Sequence, residues 1–119
     1  EVRWMGDIPN KKIQAYYQVA DLFINPTWAE GFPRVILEAM ASGIPIVTTD
    51  AGGIRDILGK NQSAFIVPKE DRALFAKKCN LLLSNVSLRD QVSAENNTEI
   101  ARFDTPVVAQ MYIDILFHA

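Results

Sequence analysis

The chain has little of what several common chemistries require. Of its 119 residues, one is cysteine and one is histidine. Cys79 therefore has no partner for an intrachain disulfide, and no cluster of Cys and His carries the spacing of a metal site. No apolar run approaches the ~20 residues that cross a bilayer, and no basic-then-apolar leader opens the chain. Basic residues number 12 against 14 acidic ones, for a formal net charge of −2. That balance offers no positive field to nucleic acid or anionic lipid, so neither is an expected partner. The expected setting is cytoplasmic. What the chain does have is core material: 49% of residues are hydrophobic and 22% charged, a globular rather than a disordered composition. Its length suits one domain, and no repeat, linker or low-complexity tract divides it, so residues 1–119 read as one unit. Cys79 lies in the stretch LFAKKCNLLL, where packing is its expected role, and His118 is the penultimate residue.

Hydrophobic spacing and turn residues predict strands alternating with helices. Val2–Met5 reads as a strand, followed by the turn residues Gly6, Asp7 and Pro9. Asn10 is the expected cap of a helix whose apolar positions, Ile13, Tyr16, Tyr17 and Ala20, recur at i, i+3, i+4 and i+7. Leu22–Ile24 reads as a short strand closed by Asn25-Pro26, and a helix is expected from about residue 33 to 42, stopped by Gly43. The β-branched Ile46–Thr49 reads as a buried strand. Gly52-Gly53 opens a short helix ending near Gly59, and Ala64–Val67 supplies another strand. Asp71 caps a helix to about Leu83, and Ser87 with Asp90 signals a weaker helix to about Ala101. Thr105 and Pro106 open a last helix with the stripe Val108, Met111, Tyr112, Ile115. This order implies an α/β fold, Rossmann-like βαβ units with a short parallel sheet covered on both faces. Ligands of such sheets bind beyond the carboxyl ends of the strands, which directs attention to the loops after Ile24 and Thr49.

Those two loops differ from the other helix starts. Asn10, Asp71, Ser87 and Thr105 offer side-chain acceptors to the first amides of their helices, whereas Phe32-Pro33 and Gly53 do not. Pro33, read at the first helical position, gives up an amide that would be free anyway. Arg34, Val35 and Ile36 are then expected to keep unpaired amides along the positive end of the helix dipole. A ligand phosphate suits such amides; water or the Glu30 carboxylate would also satisfy them. Glu38 stands two turns into the same helix among Val35, Ile36, Leu37, Ala39, Met40 and Ala41. A carboxylate in that company is costly unless it is hydrogen-bonded or reaches a polar cleft. Paired hydroxyls of a sugar or ribose would suit it, and a solvated helix position is the plain alternative. Trp28, in the PTWAE loop on the same edge, is a candidate for stacking on a base or sugar as well as for simple packing. Arg34, Arg55, Lys60 and Lys69 would suit a phosphate or an acceptor, with solvation the default.

The run AD-LFINPTWAEGFPRVILEAMASGIPIVTTDAGGIRDIL resembles the signature of group-one, family-four glycosyltransferases, whose fold is the two-domain GT-B type. The matching features are AD before a strand, Pro-Thr, and two glutamates separated by seven residues, Glu30 and Glu38. EAMASGIP follows from Glu38 to Pro45, and then the double glycine Gly52-Gly53. Weaker likeness extends to Trp4-Met5-Gly6 on one side, and through Phe65–Pro68 to Phe103 and Tyr112 on the other. The resemblance implies a partial C-terminal, nucleotide-sugar-binding domain of a retaining enzyme that transfers a hexose to an acceptor. It implies no metal and no other cofactor. By position it places Glu38 at the ribose hydroxyls and Glu30, as the catalytic residue, at the hydroxyls of the donor sugar. It places the backbone of Gly31, Phe32, Arg34, Val35 and Ile36 against sugar and diphosphate, and Gly52 and Gly53 at the border of the cleft. UDP is the expected nucleotide, with GDP its rival. The EGFPRV form is most similar to enzymes of bacterial capsule, O-antigen or lipopolysaccharide assembly. Their acceptors are saccharides or lipid-linked, which adds a peripheral position at the inner face of the membrane to the expectation.

Two positions depart from the signature. Pro33 stands where glycine is commoner and removes one amide, and Asp56 stands where many members carry the longer glutamate. The likeness covers only the second half of the C-terminal domain. A longer parent is therefore expected, with upstream strands bearing a basic pair for the diphosphate and an N-terminal domain for the acceptor. The chain alone should show no turnover. A sheet edge that such strands would cover invites pairing between copies, which makes a homodimer of the chain an expectation. Two other classes stay open: a non-catalytic α/β interaction module, which would bind no donor, and a sugar-nucleotide epimerase or phosphorylase-like enzyme on a related two-domain fold, which product analysis separates from transfer.

Overall fold

Three short parallel strands organise the chain in a computed structural model that describes residues 1–29 and 33–103. The elements in chain order are α1 (Asn10–Val19), β1 (Phe23–Asn25), α2 (Arg34–Ala41), β2 (Ile46–Thr49), α3 (Ile54–Ile57), β3 (Ile66–Val67), α4 (Arg72–Ser84) and α5 (Val86–Glu99). Single 3-10 turns cover Gln62–Phe65 and Ile100–Phe103. The sheet order is β1-β2-β3. Phe23, Ile24 and Asn25 stand opposite Ile46, Val47 and Thr48, and Thr48 and Thr49 stand opposite Ile66 and Val67. Parallel neighbours need a crossover between them, and α2 supplies the one from β1 to β2.

Successive side chains of a strand face opposite sides, and here each side meets its own core. Ile46 and Ile66 join Ile36, Ala39, Met40, Ile54 and Ile57 on one face; Val47 and Val67 join Phe65, Leu82 and Val92 on the other. All of β2 is buried, which is why it is a continuous β-branched run rather than an alternation. Cys79 packs against the second core, and burial pushes its thiol pKa above the ordinary value.

The rotation of α2 positions the site. Ile36, Ala39 and Met40, spaced i, i+3, i+4, are fully buried and key the helix into the first core. That setting leaves Arg34, Glu38, Ala41 and Ser42 in one stripe toward α1. The helix stops in a Schellman motif: the Gly43 amide donates to the Met40 carbonyl at 2.9 Å and the Ile44 amide to the Ala39 carbonyl at 3.2 Å. Gly43 has φ 74°, a left-handed conformation that a side chain would strain.

Several boundaries differ from the sequence reading. Val2–Met5 forms no strand; Val2 and Trp4 are 96% and 92% exposed, and no described strand lies alongside to pair with their backbone groups. Asn10 is the first residue inside α1, because Pro9 takes the cap position and its carbonyl accepts from the Lys12 and Ile13 amides. β1 begins at Phe23 rather than Leu22. Pro33 is the cap residue of α2, not its first helical residue. Asp71 caps α4 as expected, accepting from the Leu74 amide at 3.0 Å. Ser87 lies inside α5; Asn85, two residues earlier, takes the cap by accepting from the Leu88 amide at 3.0 Å. The helix expected from Thr105, with Val108, Met111, Tyr112 and Ile115, lies outside the described residues, as does His118.

The expected strand Ala64–Val67 shrinks to Ile66–Val67 for a reason found in one side chain. Gln62 is fully buried in the turn before it. Its Oε1 accepts from the Ile46 amide at 2.9 Å, and its Nε2 donates to the Ile46 carbonyl. A side-chain amide thus makes the ladder bonds that a longer β3 would have made at that point of β2. Asn96 of α5 donates to Gln62 Oε1 at 3.0 Å and to the Ile44 carbonyl at 2.9 Å. Glu95 accepts from the Asn61 and Gln62 amides at 3.0 and 2.9 Å, so α5 is locked to the entry of β2.

Candidate donor-binding site

Side chains tie the carboxyl ends of β1 and β2 together. The Thr48 hydroxyl accepts from Asn25 Nδ2 at 3.2 Å, the Thr49 hydroxyl donates to the Thr27 carbonyl, and the Thr27 hydroxyl donates to the Ala29 carbonyl at 2.9 Å. These bonds hold the loop that leads toward residue 30. Glu30, Gly31 and Phe32, expected against the donor sugar, lie outside the described residues.

At the start of α2 the Pro33 carbonyl accepts from the Ile36 amide at 3.1 Å and the Leu37 amide at 3.4 Å. This corrects the expectation for Ile36: with Pro33 at the cap, its carbonyl is in place to take the third amide, and the Ile36 side chain is wholly in the core. Among the described residues the Arg34 and Val35 amides have no partner and no side chain caps the helix. α3 also lacks a side-chain cap, but so does α1, so that feature is not confined to the binding edge. Gly52 is left-handed at φ 56°, and a Cβ on Gly53 would meet nothing within 4 Å, so this backbone borders open space.

Glu38 lies half-buried in a hollow of about 260 Å3 between α1 and α2, lined by Ile13, Gln14, Tyr17, Arg34, Glu38, Ala41 and Ser42. Its Oε2 accepts from the Tyr17 hydroxyl at 3.1 Å. Tyr17 is 8% exposed, and its ring leans on Phe23 with centroids 5.6 Å apart. Burial, then the hydrogen bond to Glu38 and the charge of that carboxylate, push the Tyr17 pKa up to about 12. The hydroxyl therefore remains a donor across the physiological range. Glu38 is neither freely solvated nor stranded among apolar groups; Oε1 takes no hydrogen bond among the described residues, and Oε2 keeps a second lone pair. Sequence spacing marks Glu38 but absorbs Tyr17 into the apolar stripe of α1. The available signal was the phenol itself, because a tyrosine hydroxyl on a buried face needs a partner.

A second hollow, of about 320 Å3, opens where the three strands end, between Pro26, Trp28, Thr49, Pro68, Lys69, Asp71, Arg72, Phe75 and Ala76. Trp28 is 65% exposed, so it offers a ring face instead of filling a core. It lines this hollow with Lys69, whereas Glu38 lines the one between α1 and α2. Arg55 is tied to Asp50, Nε to Oδ2 at 2.9 Å, while Asp56 and Lys60 are exposed. Among the described residues no three Asp, Glu, His or Cys side chains gather as a metal site, and no helix is long and apolar enough to cross a membrane.

The fold and the sequence have counterparts among known proteins. Residues 1–85 match the family model described as Glycosyl transferases group 1. The chain is 42% identical over 69 residues to TuaC, a teichuronic acid biosynthesis glycosyltransferase of Bacillus subtilis, covering 58% of this chain and 18% of that protein. It is 30% identical over 115 residues to the phosphatidyl-myo-inositol mannosyltransferase of Mycobacterium leprae, covering 96% of this chain and 31% of that protein. It is 30% identical over 95 residues to CapM, a capsular polysaccharide biosynthesis glycosyltransferase of Staphylococcus aureus, covering 79% and 25%. The chain thus spans less than a third of the length of these relatives. In fold it is similar to the crystal structure of the C-terminal domain of a group 1 glycosyl transferase family protein (LpcC) from Francisella tularensis. The TM-score is 0.70 at 24% identity, over 84% of this chain and 50% of that one. The parallel α/β unit is that of the C-terminal domain of a GT-B glycosyltransferase. Motif, fold and family model agree, and the chain belongs to the group 1 glycosyltransferases.

Proposed function

We propose that this chain holds the nucleotide portion of a nucleotide-sugar donor, as part of a retaining hexosyltransferase that builds a bacterial polysaccharide or glycolipid. One observation carries the reading: the Glu38 carboxylate stands half-buried in a hollow between α1 and α2, bonded on one side and with acceptor capacity left on the other. A ribose presents two adjacent hydroxyls, and an ionised carboxylate accepts them side by side in charge-assisted bonds. The diphosphate then reaches the start of α2, one turn before Glu38, where the Arg34 and Val35 amides and the helix dipole stabilise its charge. That charge grows as the sugar–phosphate bond breaks, so the same groups favour the departing diphosphate, without a metal. Glu30 orients the donor sugar, the backbone of Gly31 and Phe32 flanks it, and the open backbone at Gly52 and Gly53 borders it. UDP is the first candidate and GDP the second. The names of the relatives, teichuronic acid and capsular polysaccharide biosynthesis glycosyltransferases and a phosphatidyl-myo-inositol mannosyltransferase, support a saccharide or lipid-linked acceptor. Another part of a longer enzyme would hold that acceptor, at the inner face of the membrane.

Calorimetric titration of this chain with UDP and with GDP tests the reading. Saturable binding of at least one, with a Kd of about 1 mM or tighter, is expected. Failure of both nucleotides to bind refutes it. Retention is tested separately, by the anomeric configuration of the glycoside that the longer enzyme makes.

A further inference from the structure

We propose that Tyr17 is a positioning residue for donor recognition, its hydroxyl holding the Glu38 carboxylate in the orientation that reads both ribose hydroxyls. The inference rests on the assignment of Glu38 to the ribose and adds to it a residue that acts through Glu38.

A glutamate on a helix surface samples several rotamers and loses that freedom when a ligand arrives. Glu38 is different, because Oε2 is tied to Tyr17 at 3.1 Å. The anchor cannot swing: Tyr17 is 8% exposed, and its ring packs on Phe23 within the core that also contains Ile36, Ala39 and Met40. The three α2 residues of that core set the rotation of the helix that carries Glu38. Both ends of the hydrogen bond therefore belong to one rigid body. Glu38 is the partner of this hydroxyl among the described residues, and the hydroxyl stays protonated at any physiological pH. The bond uses one lone pair of Oε2 and leaves the carboxylate able to accept two more donors. Filling the core does not require the oxygen, since phenylalanine would serve as well against Phe23. The oxygen orients the carboxylate before the ligand binds, and orientation in advance lowers the cost of binding.

Tyr17→Phe removes only that oxygen. The assay is titration of this chain and its variants with UDP and with 2′-deoxy-UDP. In the unaltered chain UDP is preferred by about tenfold, because one carboxylate bond is lost with the deoxy ligand. Tyr17→Phe weakens UDP about three- to tenfold while changing 2′-deoxy-UDP little, so the preference shrinks. Glu38→Gln removes the preference, and the double variant is no worse than Glu38→Gln. A purely structural tyrosine would weaken both ligands alike. If Tyr17→Phe keeps the full preference while Glu38→Gln loses it, the positioning role is overturned and the ribose reading stands. If Glu38→Gln keeps the preference, the ribose reading falls and the role of Tyr17 falls with it. Should Tyr17→Phe not fold, 3-fluorotyrosine at position 17 gives the second measurement: its fluorine resonance moves with UDP more than with 2′-deoxy-UDP, and equal response to the two ligands overturns the proposal.

Discussion

Replacing Gln62 by leucine tests the physical account of how the sheet is closed behind the site. The two side chains are similar in volume, so the change opens no large cavity and isolates the polar contribution. Gln62 is fully buried and satisfies both the amide and the carbonyl of Ile46, and its Oε1 also accepts from Asn96. Leucine at this position strands two backbone groups of β2 away from water, while Asn96 keeps its bond to Ile44. Each buried group left unpaired costs ~1–3 kcal/mol, of which the gain from burying an apolar side chain returns only part. The expected loss is about 3 kcal/mol, a large fraction of the ~5–15 kcal/mol that holds a typical domain together. Urea unfolding followed by far-ultraviolet circular dichroism measures it, with the midpoint falling and the slope unchanged. Gln62→Glu should be at least as damaging, since it places a charge in the same dry position beside the Ile46 carbonyl. If Gln62→Leu loses less than about 1 kcal/mol, the side chain is not completing the ladder and another group satisfies Ile46.

Other expectations follow from the same structure. Glu38→Gln weakens UDP binding by about tenfold with little change in thermal stability, because the amide oxygen can still accept from Tyr17; wild-type affinity in a folded variant refutes the ribose role. Raised from 10.0 to about 12, the Tyr17 pKa contributes stability that is complete below pH 10 and is lost as pH rises through about 12. The loss is at most about 2–3 kcal/mol, and Tyr17→Phe should remove that part of the alkaline slope in denaturation measurements. β1 is paired only with β2 among the described residues and Ile24 is 52% exposed, so the chain should associate at millimolar concentration and Ile24→Lys should suppress it. Sedimentation showing a monomer at that concentration before any substitution contradicts this. Transfer by the longer enzyme should be unchanged in excess chelator, and activity lost to chelator and restored by manganese would overturn the metal-free reading.

What could be read from the chain was what depends on near neighbours in sequence. The β-branched run Ile46–Thr49 is buried along its whole length and occupies the bounds its composition suggests. α2 is legible because Ile36, Ala39 and Met40 repeat at helical spacing and Gly43 marks the stop. Asp71 caps as read; Ser87 loses to Asn85, since two acceptors two residues apart compete for one role and local pattern does not rank them. Val2–Met5 fails because strand propensity is realised only beside another strand. In the site, Glu38 stands out as a charge among apolar neighbours, but its partner is 21 positions away on another helix. Gln62 is hidden in the same way, 16 positions from the strand it completes. The exposed face of Trp28 agrees with its loop position, while its place beside Lys69 in one hollow is a property of the assembled fold.

Amide-resolved magnetic resonance of this chain titrated with UDP tests the central claim most directly, because it reports where the nucleotide sits as well as whether it binds. The account predicts the largest shifts at Arg34 and Val35, at Glu38 and Ser42, and across on Tyr17, the residues that surround the hollow between α1 and α2 and open its second helix. Shifts confined to Trp28, Lys69 and Arg72, which line the other hollow, with α1 and α2 silent, would contradict it.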